Sequence, residues 1–106
     1  MDNQYLFVNI DNIPAEIVLQ VGQLLVLFRY MKAGAPRLCN LNVPSQNFQV
    51  RQPRFGESLP GQPEQTFIVA LNEAVASGTG TMSVQFAPPE LYSEPSAPKV
   101  VQYLVH

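Results

Sequence analysis

The sequence is short of the side chains on which most enzyme chemistry depends. Its 106 residues include one histidine, one cysteine and no tryptophan, and charged residues make up only 13% of the chain. A lone Cys39 excludes an intramolecular disulfide and leaves the redox compartment open. Acid-base and nucleophilic mechanisms usually place a histidine beside the reacting group, yet His106 is the last residue, where chains fray. A copper sandwich would need a second histidine. The eight acidic residues are scattered, with no Asp-x-Asp spacing for calcium, and Gly78-x-Gly80 lies between expected strands rather than opening a helix as a phosphate loop does. These absences point away from an enzyme: no catalytic residue, metal site or cofactor is expected. Cys39 then reads as an inert buried thiol, and Met31 and Met82 as packing residues.

A net charge of −2 gives no reason to expect nucleic acid or an anionic membrane as partner. The densest apolar stretch, from Ile17 to Tyr30, is interrupted by Gln20, Gly22 and Gln23. It falls short of the roughly 20 consecutive apolar residues that span a bilayer. Met1-Asp2-Asn3-Gln4 is not basic and no small-residue cleavage site follows, which favours the cytoplasm, or the periplasm or exterior if a signal peptide has been removed. The length suits one domain over 1–106, stabilised by packing alone.

The apolar stretch is the organising element. A helix is its rival reading, but Ile17, Val18, Val21 and Val26 are β-branched, Phe28 and Tyr30 are aromatic, and Gly22-Gln23 divides the run into two strand-length halves. Before it, Tyr5 to Ile10 has strand composition and ends at the turn Asp11-Asn12-Ile13-Pro14. After it, strands are expected at Arg37 to Leu41, at Phe48 to Arg51 with one wet face, at Thr66 to Leu71, at Gly80 to Phe86 and at Lys99 to His106. Asn72 to Thr79 reads as a connection, with a helical turn as an option for Asn72 to Ala76. Short strands at roughly ten-residue spacing indicate an all-β, immunoglobulin-like antiparallel β-sandwich of about seven to eight strands.

If successive strands reverse direction, connections alternate between the two ends. The connections at 11–15, 31–36, 53–64 and 87–98 then share one end, and the last two are the longest. Loops of that length on a rigid sheet scaffold make a binding edge in many sandwiches, tolerated surface insertions being the alternative. The candidate partner-binding residues at this end are Gly34, Pro36, Arg54, Phe55, Leu59, Pro89, Leu91 and Tyr92, with the aromatic pair as anchors or as loop packing. Charge is also segregated: residues 29–54 hold five cations and no acid, whereas residues 55–106 hold five acids and one cation. Screened, solvated charge is the plain reading of that pattern.

Laid out in this way, the chain resembles the chagasin-like family of cysteine-peptidase inhibitors. The resemblance rests on Leu19-Gln20-Val21-Gly22-Gln23-Leu24-Leu25-Val26-Leu27, on Phe67-Ile68-Val69-Ala70 with Gly78 and Val84-Gln85-Phe86, and on Tyr103-Leu104-Val105. It implies a small immunoglobulin-like sandwich whose three loops enter a peptidase cleft, which makes a protein, and specifically a cysteine peptidase, the partner. The loop signatures differ here: only Gly34 answers to the family's first loop, isolated Gly56 and Gly61 to its second, and Pro88-Pro89-Glu90 keeps one proline of its third. The resemblance therefore speaks for the fold more than for the inhibitory contacts. The alternative function is a structural or assembly domain forming a homodimer or larger homo-oligomer through exposed strand edges.

Overall fold

Successive side chains along an extended backbone fall on opposite faces of a sheet, and eight segments of this chain are extended in this way. In the computed structural model they are β1 (Tyr5–Asn9), β2 (Glu16–Leu19), β3 (Leu24–Tyr30), β4 (Arg37–Asn42), β5 (Phe48–Arg51), β6 (Thr66–Ala74), β7 (Gly78–Ala87) and β8 (Lys99–Val105). One-turn 3-10 helices at Ile10–Asn12 and Met31–Ala33 follow β1 and β3. The structure describes residues 4–34, 37–54, 58–87, 94 and 97–106, with the side chains of 37–40 outside that description.

The strands form two four-stranded sheets, ordered β1-β3-β6-β5 and β2-β8-β7-β4. The fold is the expected all-β, immunoglobulin-like sandwich. Every strand pair separated by an odd number of connections is antiparallel, and the two separated by an even number, β1 with β3 and β2 with β8, are parallel. Within each sheet the strands therefore run as strict alternation along the chain requires.

Glu16 to Tyr30 is two strands, one in each sheet, rather than a helix. At the turn between them Val21 N–H donates to the His106 carbonyl and Gly22 N–H to the Ala74 carbonyl, so this corner is tied to both sheets. The inward side chains of both halves, Ile17, Leu19, Leu25 and Leu27, meet Val84, Val101, Val105 and Met82 in the main core. Complete burial of one such side chain contributes about 1.5–3 kcal/mol.

The structure changes several of the expectations. β6 runs on to Ala74, so Asn72-Glu73-Ala74 is strand rather than connection or helical turn. Its register places Asn72 opposite Leu25 and Ala74 opposite Phe48, and this tertiary pairing overrides a composition suited to turns. β7 begins at Gly78, two residues before the expected start at Gly80. Met82 is buried, but Met31 is 58% exposed because it sits on the 3-10 turn beyond the sheet. Phe48 is buried as expected, whereas Val50 is 59% exposed, because β5 is an edge strand at the margin of the core. Cys39 lies in β4 at a register shift between Leu38 and Asn40, and its side chain is outside the described residues.

Candidate functional site

The site is built from the end of the sandwich where β1, β3, β5 and β7 hand over to their connections. Arg29 is the one cation in the apolar stretch, and β3 delivers it to that end. Its Nε donates to Asp11 Oδ2 at 3.0 Å and its Nη1 to the Gly34 carbonyl at 3.1 Å. Asp11 is held in turn, because its N–H donates to Asn9 Oδ1 at 2.9 Å. One guanidinium therefore joins the β1–β2 connection to the β3–β4 connection. The fork of donors on a planar group makes such double engagement natural for arginine.

The second connection is fixed to the third. Met31 N–H donates to the Gln65 carbonyl at 2.8 Å, and Gly34 N–H closes the 3-10 turn onto the Met31 carbonyl at 3.0 Å. Gly34 has φ 86°, the left-handed region that glycine enters without steric cost. In the β5–β6 connection Gln62 works as a clasp. Its Oε1 accepts from Leu59 N–H at 3.0 Å, and its Nε2 donates to Thr66 Oγ1 at 3.0 Å and to the Thr66 carbonyl at 3.2 Å. The Thr66 hydroxyl donates to the Pro63 carbonyl.

This connection does not stand away from the sheet. Leu59 is half-buried against a second apolar cluster formed by Leu24, Val26 and Leu71 with Tyr5, Phe7 and Ile68. These side chains lie on the face of the β1-β3-β6-β5 sheet away from the main core, since Leu25, Leu27 and Ala70 alternate with them. The loop crosses that outer face, and a groove of about 750 Å³ is left between it and the start of β6. Its walls include Met31, Arg54, Glu64, Phe67 and Ile68, an apolar surface with one charge of each sign beside it. A smaller hollow of about 230 Å³ lies where Ile10 to Ile13 meet Ala97 and Lys99 at the close of the β7–β8 connection. All four connections thus have described residues at this end, and hydrogen bonds join the first to the second and the second to the third.

Of the candidate residues, Gly34 shapes the turn that Arg29 holds, Arg54 is exposed and borders the groove, and Leu59 anchors its loop to the sheet. Pro36, Phe55, Pro89, Leu91 and Tyr92 lie outside the described residues. Two residues at this end escaped the sequence reading, Arg29 as the tie between connections and Met31 as an exposed wall of the groove. The signal for Arg29 was its isolation as a lone charge in an apolar run. Nothing in composition marked Met31. Among the described residues no group of three or more histidine, cysteine, aspartate or glutamate side chains is placed to hold a metal.

A solved structure with the same architecture is a cysteine protease inhibitor from Entamoeba histolytica. It superposes with a TM-score of 0.62 over 96% of this chain and 95% of that one, at 13% sequence identity. No family model matches the sequence, and no curated protein matches it. At this identity the likeness is one of fold, and a shared fold carries many functions. The chain therefore has the sandwich of a known cysteine protease inhibitor, joined to a loop-bearing end built from its own residues.

Proposed function

We propose that this protein is a non-enzymatic protein-binding domain that engages its partner through the loop-bearing end, and that it is a diverged chagasin-like inhibitor of papain-like cysteine peptidases. The observation that carries the reading is the match in fold, nearly end to end, with a cysteine protease inhibitor. The arrangement of the connections supports it: Arg29 and Met31 join neighbouring connections and Gln62 braces the β5–β6 connection from within, and such preorganisation lowers the ordering entropy lost on binding. Mutual fastening of this kind suits a wedge better than tolerated insertions.

The test is a titration of papain-like peptidases with the purified protein. Loss of peptidase activity at or below micromolar concentration is expected, and no effect well above that range overturns the inhibitor reading. Phe55→Ser and Tyr92→Ser should each weaken inhibition by about tenfold or more, the scale of an aromatic anchor, while leaving the unfolding midpoint in place.

A further inference from the structure

Four strands stand at sheet edges, and three of them carry the devices that usually discourage edge pairing. β2 has Glu16 and only four residues, β5 has Arg51 and only four residues, and β4 has Arg37 and the register shift between Leu38 and Asn40. β1, Tyr5-Leu6-Phe7-Val8-Asn9, has no charge, no proline and no irregularity in its pairing with β3. The backbone phase of this edge is fixed. Leu24 N–H donates to the Gln4 carbonyl, so in the parallel register of Tyr5 with Leu24 the backbone groups of Gln4, Leu6 and Val8 face β3. Those of Tyr5, Phe7 and Asn9 face away from it. Beside them is an open hollow of about 440 Å³ between β1 and β2, with Leu6, Phe7, Ile17 and Val18 among its walls.

We infer that β1 is a homodimerisation edge, taking the β1 strand of a second copy in antiparallel fashion about a two-fold axis at Phe7. The occupant follows from self-complementarity. With the axis at Phe7, residue Phe7 faces Phe7 and Tyr5 faces Asn9, which are the residues whose N–H and carbonyl groups point outward. Phe7 with Phe7 and Asn9 N–H with the Tyr5 carbonyl give about four unshared backbone bonds, and each Tyr5 N–H adds a bond to an Asn9 carbonyl that also caps the 3-10 turn. No like charges oppose one another, and two four-stranded sheets merge into one of eight. Because the paired strands run in opposite directions, the two loop-bearing ends lie at opposite poles of the dimer, each open to its own partner. The inference stands apart from the proposed function, since it uses a different edge and does not need a peptidase.

Sedimentation from micromolar to near-millimolar concentration should give a monomer–dimer equilibrium. Tyr5→Pro removes an outward N–H without touching the β3 ladder and should weaken the dimer by about tenfold or more, whereas Tyr5→Ala keeps the donor and should dimerise. Val50→Lys, on the far edge, should leave association unchanged. Hydrogen exchange of the unmodified protein gives an independent reading. The amides of Tyr5, Phe7 and Asn9 should gain protection as concentration rises, while those of Leu6 and Val8 are protected throughout. A single monomeric mass across the range, a dimer lost in Val50→Lys and kept in Tyr5→Pro, or amide protection at Tyr5 and Phe7 that ignores concentration would overturn the inference.

Discussion

The phenol of Tyr103 donates to Asn47 Oδ1 at 2.6 Å inside the sandwich, joining two residues that are 56 positions apart in the chain. Asn47 is buried in the turn just before β5, and its Nδ2 donates onward to the carbonyls of Ala76 and Ser77 at 3.2 and 3.1 Å. Phe48 adds an edge-to-face contact, its ring 5.0 Å from that of Tyr103. Two glycines of β7 make room for this network. A Cβ on Gly80 would lie 2.7 Å from the Tyr103 hydroxyl, and one on Gly78 would lie 2.6 Å from Asn47 Nδ2. The turns before β5 and before β7 are thereby locked to β8 at the pole opposite the long loops.

Tyr103→Phe should lower stability by about 1–3 kcal/mol, because it leaves the buried Asn47 oxygen without its donor. Gly80→Ala should act in the same direction by a different route, forcing the tyrosine ring off its partner. Urea unfolding of the two variants checks both, and an unmoved midpoint in Tyr103→Phe would show that the hydrogen bond contributes nothing net.

Burial also raises the proton affinity of the Tyr103 phenol above the usual tyrosine value of 10.0. The folded state therefore keeps this proton at a pH where the unfolded chain releases it. Stability from this group is fully present below about pH 10 and declines as pH rises through the folded value, with a slope of at most about 1.4 kcal/mol per pH unit. Unfolding midpoints measured from neutral to strongly alkaline pH should show the decline in the parent protein and lose that component in Tyr103→Phe.

Asn72 should respond in the opposite sense to substitution. It is fully buried on the inward face of β6, opposite Leu25 and Val50, and neither its amide nitrogen nor its oxygen has a hydrogen-bond partner. A desolvated amide without partners destabilises the native state by about 1–3 kcal/mol. Asn72→Leu, similar in volume, is expected to raise the melting temperature. A lower melting temperature would falsify the view that the amide is unmet.

Much of this architecture was legible because local signals and tertiary pairing agree. Apolar, aromatic and β-branched segments between turn-forming residues mark most of the strands, and counting reversals assigns the connections to their ends. Legibility failed where a partner outside the segment decides the outcome. Asn72 and Glu73 have turn composition, yet pairing with β3 and β5 keeps them in a strand. Gly78 looks like punctuation, whereas it lies in β7 with Asn47 behind it, and nothing in the sequence shows that Gly80, two residues on, makes room for Tyr103. Leu59 looked like an exposed loop contact because nothing nearby in the sequence announces that the outer face of a sheet needs covering.

That covering makes Leu59 the test of how the β5–β6 loop is held. Leu59→Ala should lower stability by about 1–2 kcal/mol, less than a fully buried leucine would, and Leu59→Met should restore most of it by filling the same space. Equal midpoints for parent and Leu59→Ala in urea would mean that the loop rests on the sheet without binding to it.

Arg29 governs the other loop junction, and its contribution should appear in local order rather than in global stability. Asp11 is about half exposed, so the ion pair is worth at most about 1 kcal/mol. Arg29→Lys preserves the charge but replaces a rigid fork by a point donor that cannot hold Asp11 and the Gly34 carbonyl together in the same geometry. The unfolding midpoint should therefore shift little, while the Gly34 amide, which closes its turn on Met31, exchanges several-fold faster. Peptidase inhibition, where present, should weaken in parallel, because the loops would have to be ordered at the moment of binding. If exchange at Gly34 is the same in the parent, Arg29→Lys and Arg29→Met, the guanidinium does not shape the loop-bearing end, and its order must come from the Met31–Gln65 and Gln62–Thr66 contacts alone.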